Sequence, residues 1–195
     1  MKRLLLAVFT LGMALTGYAQ TTPTTQVKTI ADLVALGIPT INNRLSALVT
    51  GRVTENDGAG GLFFYDASDA TSTNQGTIFK PAASAGRWRR QYTGAANVRW
   101  FGAVGDGTTD DYAAITNALG VANAIYIPTG VYSVSNTLIV KGAGKNIKGD
   151  GATNSIVKGA FAGVVMRVGS EVAGDAASLP FRLTDFGING NSVST

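Results

Sequence analysis

The chain has 195 residues, 45% of them apolar, 14% charged and 25 of them glycine, a balance that excludes disorder and suits many short strands joined by tight turns. It holds no cysteine and no histidine, so it cannot be stapled by disulfides, and carboxylates are its main candidates for acid/base work or for binding a hard metal ion. Sixteen basic residues against 12 acidic ones give a net charge of +4, and setting aside Lys2 and Arg3 leaves +2, too little to argue for a nucleic-acid partner.

Residues 1–19 read as a signal peptide: Lys2 and Arg3, the apolar run Leu4–Leu15, then the small-residue cleavage pattern at Gly17-Tyr18-Ala19. Cleavage before Gln20 sends the product out by bacterial-type export, as a secreted, periplasmic or cell-surface protein. No later segment is apolar for long enough to span a membrane. Residues 20–26, QTTPTTQ, are expected to be a flexible leader. Ile30–Leu36 has the apolar spacing of a short docked helix, stopped by Gly37. Strands are expected at Leu48–Val53, Leu62–Asp66, Thr77–Lys80 and Gly86–Tyr92, making residues 27–96 a small β-rich module.

The stretch Trp100–Ile115, WFGAVGDGTTDDYAAI, holds three aspartates within six residues. Asp110 and Asp111 are adjacent, so on a helix they diverge by about 100° and cannot flank one glycosidic bond. DGTTDD also lacks the alternating oxygen ligands of a calcium loop. Local backbone chemistry explains each residue instead. Asp106-Gly107 reads as a turn, and Thr108 with Asp111 has the spacing of a capping box. Asp110 and Asp111 suit the first turn of a helix carrying Tyr112, Ile115 and Leu119, with Gly120 as its C-cap. Asp106, Thr108, Asp110 and Asp111 are therefore expected to be structural. Beyond Asn123 the pattern is of short strands: 124–127, 131–135, 137–141, 146–148, 155–158, 164–168 and 182–188. Lys148–Gly151 and Ile188–Asn191 read as equivalent corners, about two solenoid coils apart.

Val98–Ala118 closely resembles the segment that opens the right-handed parallel β-helix of the pectate lyase superfamily. Ile125–Tyr132 (IYIPTGVY), Ile147–Gly151 and Leu183–Asn191 resemble three further phrases of that group, in the same order. The resemblance implies an all-β fold over residues 97–195, the first coils of a β-helix with an α-helical cap, and a chain truncated at its C-terminus. Asp57–Asp66, Gly76–Pro81 and Gly86–Arg90 more loosely resemble a module found ahead of tailspike-like β-helices, which implies attachment or capping and, if it holds, a trimer.

The superfamily takes its catalytic aspartates and calcium ligands from later coils, and no "NTDG" phrase or calcium ligand set is legible here. No cofactor or metal is expected, and the chain by itself is expected to be inactive. The best alternative site is the basic and aromatic cluster Arg87, Trp88, Arg89, Arg90, Arg99 and Trp100, whose arginines suit uronate carboxylates and whose tryptophans suit a sugar face. In the competing view the tryptophans fill small cores and the arginines face solvent. Two functions stay open: the front part of a secreted enzyme acting on acidic or plant-type polysaccharide, or a non-catalytic surface, adhesion or tailspike-like protein.

Overall fold

The computed structural model describes residues 24–38, 45–142, 144–169 and 181–190. The expected signal peptide, residues 1–19, lies outside them. The first unit comprises β1 (Thr24–Val27), α1 (Ile30–Ala35), β2 (Ser46–Val49), β3 (Gly61–Asp66), β4 (Ile78–Phe79) and β5 (Arg87–Gln91). Its sheet runs β1-β2-β3-β5-β4, with β1 parallel to β2 and the other pairs antiparallel. Strand alternation sends Ala47, Val49, Phe63, Tyr65 and Trp88 to one face, where Ile30 and Leu33 of α1 cover them. Thr24–Gln26, expected to be part of a flexible leader, belong instead to β1. Their backbone pairs with Ser46–Leu48 and Thr24 Oγ1 meets Ser46 Oγ at 2.9 Å. A capping box starts α1: Asp32 N–H donates to Thr29 Oγ1 while Thr29 N–H donates to the Asp32 carboxylate.

The second unit is a parallel β-helix. It comprises β6 (Ala96–Asn97), a 3₁₀ turn (Val98–Phe101), β7 (Asp106–Asp110), α2 (Tyr112–Val121), β8 (Ala124–Ile127), β9 (Gly130–Val134), β10 (Leu138–Val140), β11 (Asn146–Gly149), β12 (Ser155–Gly159), β13 (Met166–Val168), β14 (Arg182–Thr184) and β15 (Gly187–Asn189). These strands form three parallel ladders, β6-β8-β11-β14, β7-β9-β12-β15 and β10-β13. Residues in register stack inward: Ala96, Ile125 and Ile147 on the first face, Tyr132 and Val157 on the second, with Leu138 and Val140 beginning the third. Full burial of such an aliphatic side chain stabilises the fold by about 1.5–3 kcal/mol, so these stacks are the main cohesive force.

The same register corrects the predicted corners. Lys148 pairs with Thr184, so the corner at Lys148–Gly151 is matched by Thr184–Gly187, one coil on; Ile188 pairs with Val157 on another face. Residues 182–188 are two strands rather than one, separated where Asp185 takes a left-handed φ of 58°. That coil is longer than the one before it, Ile147 reaching Leu183 where Ile125 reaches Ile147, which made one coil look like two.

Helix α2 lies over the first coil, burying Ala114, Ile115, Ala118 and Leu119 in the core of the β-helix. It ends at Ala122, beyond Gly120, which is helical rather than the C-cap. Lys145 serves the helix terminus instead: its Nζ donates to Leu119 O at 2.6 Å and Ala122 O at 2.7 Å, a cation on the negative end of the helix.

The two units meet around Arg90. Its guanidinium is buried (6% exposed) and lies between two rings, 4.5 Å from the Phe63 centroid and 4.7 Å from the Trp100 centroid. Its Nε donates to Gly76 O, Nη1 to Gly60 O and Nη2 to Ala59 O. Arg52 Nη1 bridges alongside, donating to Gln75 O in the first unit and Trp100 O in the second, both at 2.6 Å. Gly76 rests on the Phe101 ring, where any Cβ would collide.

Replacing Arg90 with alanine strands three carbonyls and opens the space between Phe63 and Trp100. The expected loss is about 3 kcal/mol or more in urea unfolding, with faster proteolysis at Thr93–Ala95. Arg90→Lys should recover only part of this, because an ammonium cannot reach three carbonyls in a plane while stacking on two rings.

Candidate functional site

The acids of the aspartate run are bonded to local donors, in a different arrangement from the one expected. Asp106–Asp110 is the bulged strand β7, paired with β9 through Asp106↔Val131 and Asp110↔Ser133. Thr108 therefore lies in a strand and does not cap α2, and the capping box with Asp111 does not form. Asp106 accepts from Thr108 N at 2.9 Å and from Thr109 N at 2.7 Å, closing the bulge; these bonds, Thr109's first, hold its carboxyl far below the ordinary range. Asp110 ties three elements together, accepting from Tyr112 N at the start of α2 and from Ser135 N and Oγ after β9. The Ser135 hydroxyl is the main cause of its lowered pKa.

Asp111 occupies the N-cap position of α2, yet its side chain makes no cap bond. It is fully buried (0% exposed) and points back, accepting from Val104 N at 2.7 Å and Gly105 N at 3.1 Å. Burial pushes its carboxyl above the ordinary value, while the two N–H donors pull the other way. Gly105 has φ +71°, and a Cβ there would strike the buried Tyr132 ring, so the loop fits only a glycine. Each of these three carboxylates is engaged by local donors.

The basic and aromatic cluster is divided. On β5, Trp88 and Arg90 point inward and Arg87 and Arg89 outward. Trp88 is wholly buried beside Tyr65, and its Nε1 has no partner among the described residues. Arg87 donates to Thr71 O, Ala85 O and Gly86 O, fastening its own loops. Arg89 pairs with Asp69 at 2.6 Å. Asp69 is held at about 2, first by the Thr71 N–H. Trp100, partly buried, stacks edge-on with Tyr92 at 4.9 Å and on Arg90. Arg99 stands apart, beside Thr129.

Two features were not singled out from the sequence. One is Asp150, which accepts from Tyr126 Oη at 2.7 Å and from Thr129 N and Oγ1, linking successive coils at an exposed corner. Its only sequence signal was a place in a turn. The other is a cleft of about 330 Å³ where the two units meet, with Arg52, Asp57 and Arg99 in its lining. Arg52 gives no local signal, because it reaches the cleft only through the docking of the units.

Comparison with known proteins agrees with this architecture. The family described as rhamnogalacturonase A/epimerase, pectate lyase-like, matches residues 95–191, and the phage tail protein small four-stranded beta-sheet domain matches residues 26–93. The strand β1 makes a fifth in the present sheet. No relative is found among curated proteins. Tailspike protein 2 of Escherichia coli O157:H7 bacteriophage CAB120 is similar with a TM-score of 0.65 and 22% identity, over 88% of this chain and 21% of its own. The tailspike of Acinetobacter phage vB_ApiP_P1 gives 0.67 and 19%, over 86% and 29%. Tailspike gp49 of Acinetobacter baumannii bacteriophage Fri1, a capsular polysaccharide depolymerase, gives 0.53 and 14%, over 65% and 23%. At these identities the likeness establishes the fold, and the chain spans between a fifth and a third of the length of these structures.

The carboxylates set the response to acid. Asp69, Asp106, Asp110 and Asp150 have folded values below the unfolded 3.8, so their contribution is present above that pH and is lost as pH falls through the lowered values. Asp111 acts oppositely: its raised value means stability declines as pH climbs from 3.8 toward it. Thermal unfolding across pH 2–7 should show both limbs. Asp111→Asn should remove the second and lower neutral-pH stability by about 1–3 kcal/mol, since an amide cannot accept from both Val104 and Gly105 without opposing one N–H.

Proposed function

We propose that this chain, whose residues 95–191 match the rhamnogalacturonase A/epimerase, pectate lyase-like family, is the front end of an exported β-helix protein that binds or cleaves polysaccharide. The observation that carries this reading is the family match on a β-helix whose coil register is continuous from β6 through β14. Asp106, Asp110, Asp111 and Asp150 are committed to backbone N–H groups and hydroxyls, which suits a cap and a platform rather than a bond-breaking centre. Glycan contact would come from surfaces of the β-helix, and any cleavage from carboxylates carried on further coils.

A second reading has its own support. The first unit matches a phage tail domain, and it is joined to the β-helix by a buried arginine rather than by a loose linker. That favours a non-catalytic, tailspike-like role in which the module attaches the protein and the β-helix displays binding loops. A trimer accompanies this reading. In both, residues 1–19 act as an export signal and the product works outside the cytoplasm; no described helix is long and apolar enough to cross a membrane.

Incubating the purified chain with polygalacturonate and with bacterial capsular polysaccharide, with and without calcium, should release neither reducing ends nor unsaturated uronates, while affinity electrophoresis in gels containing these glycans should show retardation. Cleavage would place catalytic groups within this segment, and absence of retardation on every glycan tested would favour the attachment role. N-terminal sequencing of the exported product should begin at Gln20.

A further inference from the structure

The cleft between the two units has a composition that its structural role does not require. Its volume of about 330 Å³ falls at the small end of ligand pockets, roughly 300–1,000 Å³. Arg52 and Arg99 enter it from opposite units, and Val53, Ala59 and Ala103 contribute apolar wall. Neither guanidinium has a carboxylate within salt-bridge distance among the described residues. Arg52 uses Nη1 on Gln75 O and Trp100 O, while its Nε and Nη2 edge lies toward Gly102, where an added Cβ would be 3.1 Å from Nε. Arg99 uses Nη2 on Thr129 O at 3.1 Å and Nη1 on Asp57 O at 3.5 Å, and its guanidinium lies 6.0 Å from the Tyr132 ring centroid, which leaves its other N–H groups available.

Asp57, the acid in the same lining, is already engaged. Its carboxylate accepts from the backbone N–H groups of Arg52, Val53, Thr54 and Ala59, and so folds the loop that forms one wall. It offsets part of the positive charge without pairing with either guanidinium. Arg52 and Arg99 keep unused donor edges, and the charged Arg90 near Arg52 adds to a positive field that Asp57 offsets only in part, so the cleft attracts an anion. A dianionic phosphate would meet Asp57 at close quarters. Arginine forks bind carboxylates with two parallel bonds, and the apolar wall suits the C–H face of a compact ring.

We infer that this cleft binds the carboxylate of an acidic sugar, held between Arg52 of the small module and Arg99 of the β-helix. The choice of a sugar rests on the polysaccharide reading above; the choice of an anion rests on the geometry alone. A ligand there touches both units at once, so occupancy should stabilise their union as well as bind a glycan end.

The test uses the full chain with galacturonate as probe, and with galactose, acetate and inorganic phosphate as comparisons, read by calorimetry and by shift in melting temperature. Saturable binding of galacturonate with a raised melting temperature is expected, with weaker binding of phosphate and none of galactose. Val53→Glu places a charge at the rim on a side chain that is 75% exposed, so the fold is retained. It should weaken galacturonate binding about tenfold or more, as should Arg99→Gln. Galacturonate binding unchanged in Val53→Glu, equal binding of galactose, or no binding by the unaltered chain would overturn the site. Acetate binding as well as galacturonate would overturn the sugar assignment. Retardation by polysaccharide that persists in Val53→Glu would leave the broader functional proposal standing while galacturonate binding is lost, so the two can fail separately.

Discussion

A buried guanidinium with no salt-bridge partner among the described residues holds this protein's two hydrophobic cores in one arrangement. Arg90 is pulled down to a pKa of about 9, first by burial and then by the nearby Arg52, and so stays charged at neutral pH. Its charge is stabilised by carbonyl dipoles from Ala59, Gly60 and Gly76 and by the faces of Phe63 and Trp100. These partners come from three stretches of chain, so one side chain sets the position of the Ala59–Gly61 strand entry, the Gly76 turn and the 3₁₀ turn together. A chain without cysteine has no covalent alternative. Cation–π contacts in a desolvated setting contribute about 2 kcal/mol each, comparable with a buried aliphatic residue. The cleft between Arg52 and Arg99 exists because this contact brings the units to that spacing.

The β-helix depends on a simpler constraint. Parallel strands in register place like positions above like positions, so an apolar residue facing inward is covered by its counterpart one coil away. Ile125 over Ile147 and Tyr132 over Val157 show this directly. The first coil has no coil before it to cover all of its apolar side chains, and α2 with Ile115 and Leu119 supplies that cover. Lys145 from the following corner then neutralises the carbonyl end of that helix. Cover and coil therefore stabilise each other.

Two threonine–aspartate pairs with the same spacing show how local chemistry is decided by context. Thr29 and Asp32 form a capping box because the chain there turns freely from β1 into α1. Thr108 and Asp111 do not, because Ser133 and Val131 of β9 draw residues 106–110 into a strand and leave the helix to start at Tyr112. Asp111 is then closer to the N–H groups of Val104 and Gly105 than to the helix end, and it closes the loop that the Gly105 turn begins. Turn and cap chemistry for the acids was readable from their neighbours; which donors they serve was not, since several lie on another strand or across a loop.

The sequence by itself determined the strand-rich character of both units, a helix carrying Tyr112, Ile115 and Leu119, and the order of motifs that marks a β-helix. These follow from the spacing of apolar residues, glycines and turn formers, which act over a few neighbours. It did not determine the coil pairing: Lys148 against Thr184 rather than a corner farther on depends on ladder hydrogen bonds between residues far apart in the chain. Nor did it determine the fate of the arginines. Arg87, Arg89, Arg90 and Arg99 share one kind of side chain, and only the tertiary structure sends one into a core, fastens two to surface loops and leaves the last at a cleft. The physical reason is that a charged side chain takes its role from desolvation and from partners, and both are set by the folded surroundings rather than by adjacent residues.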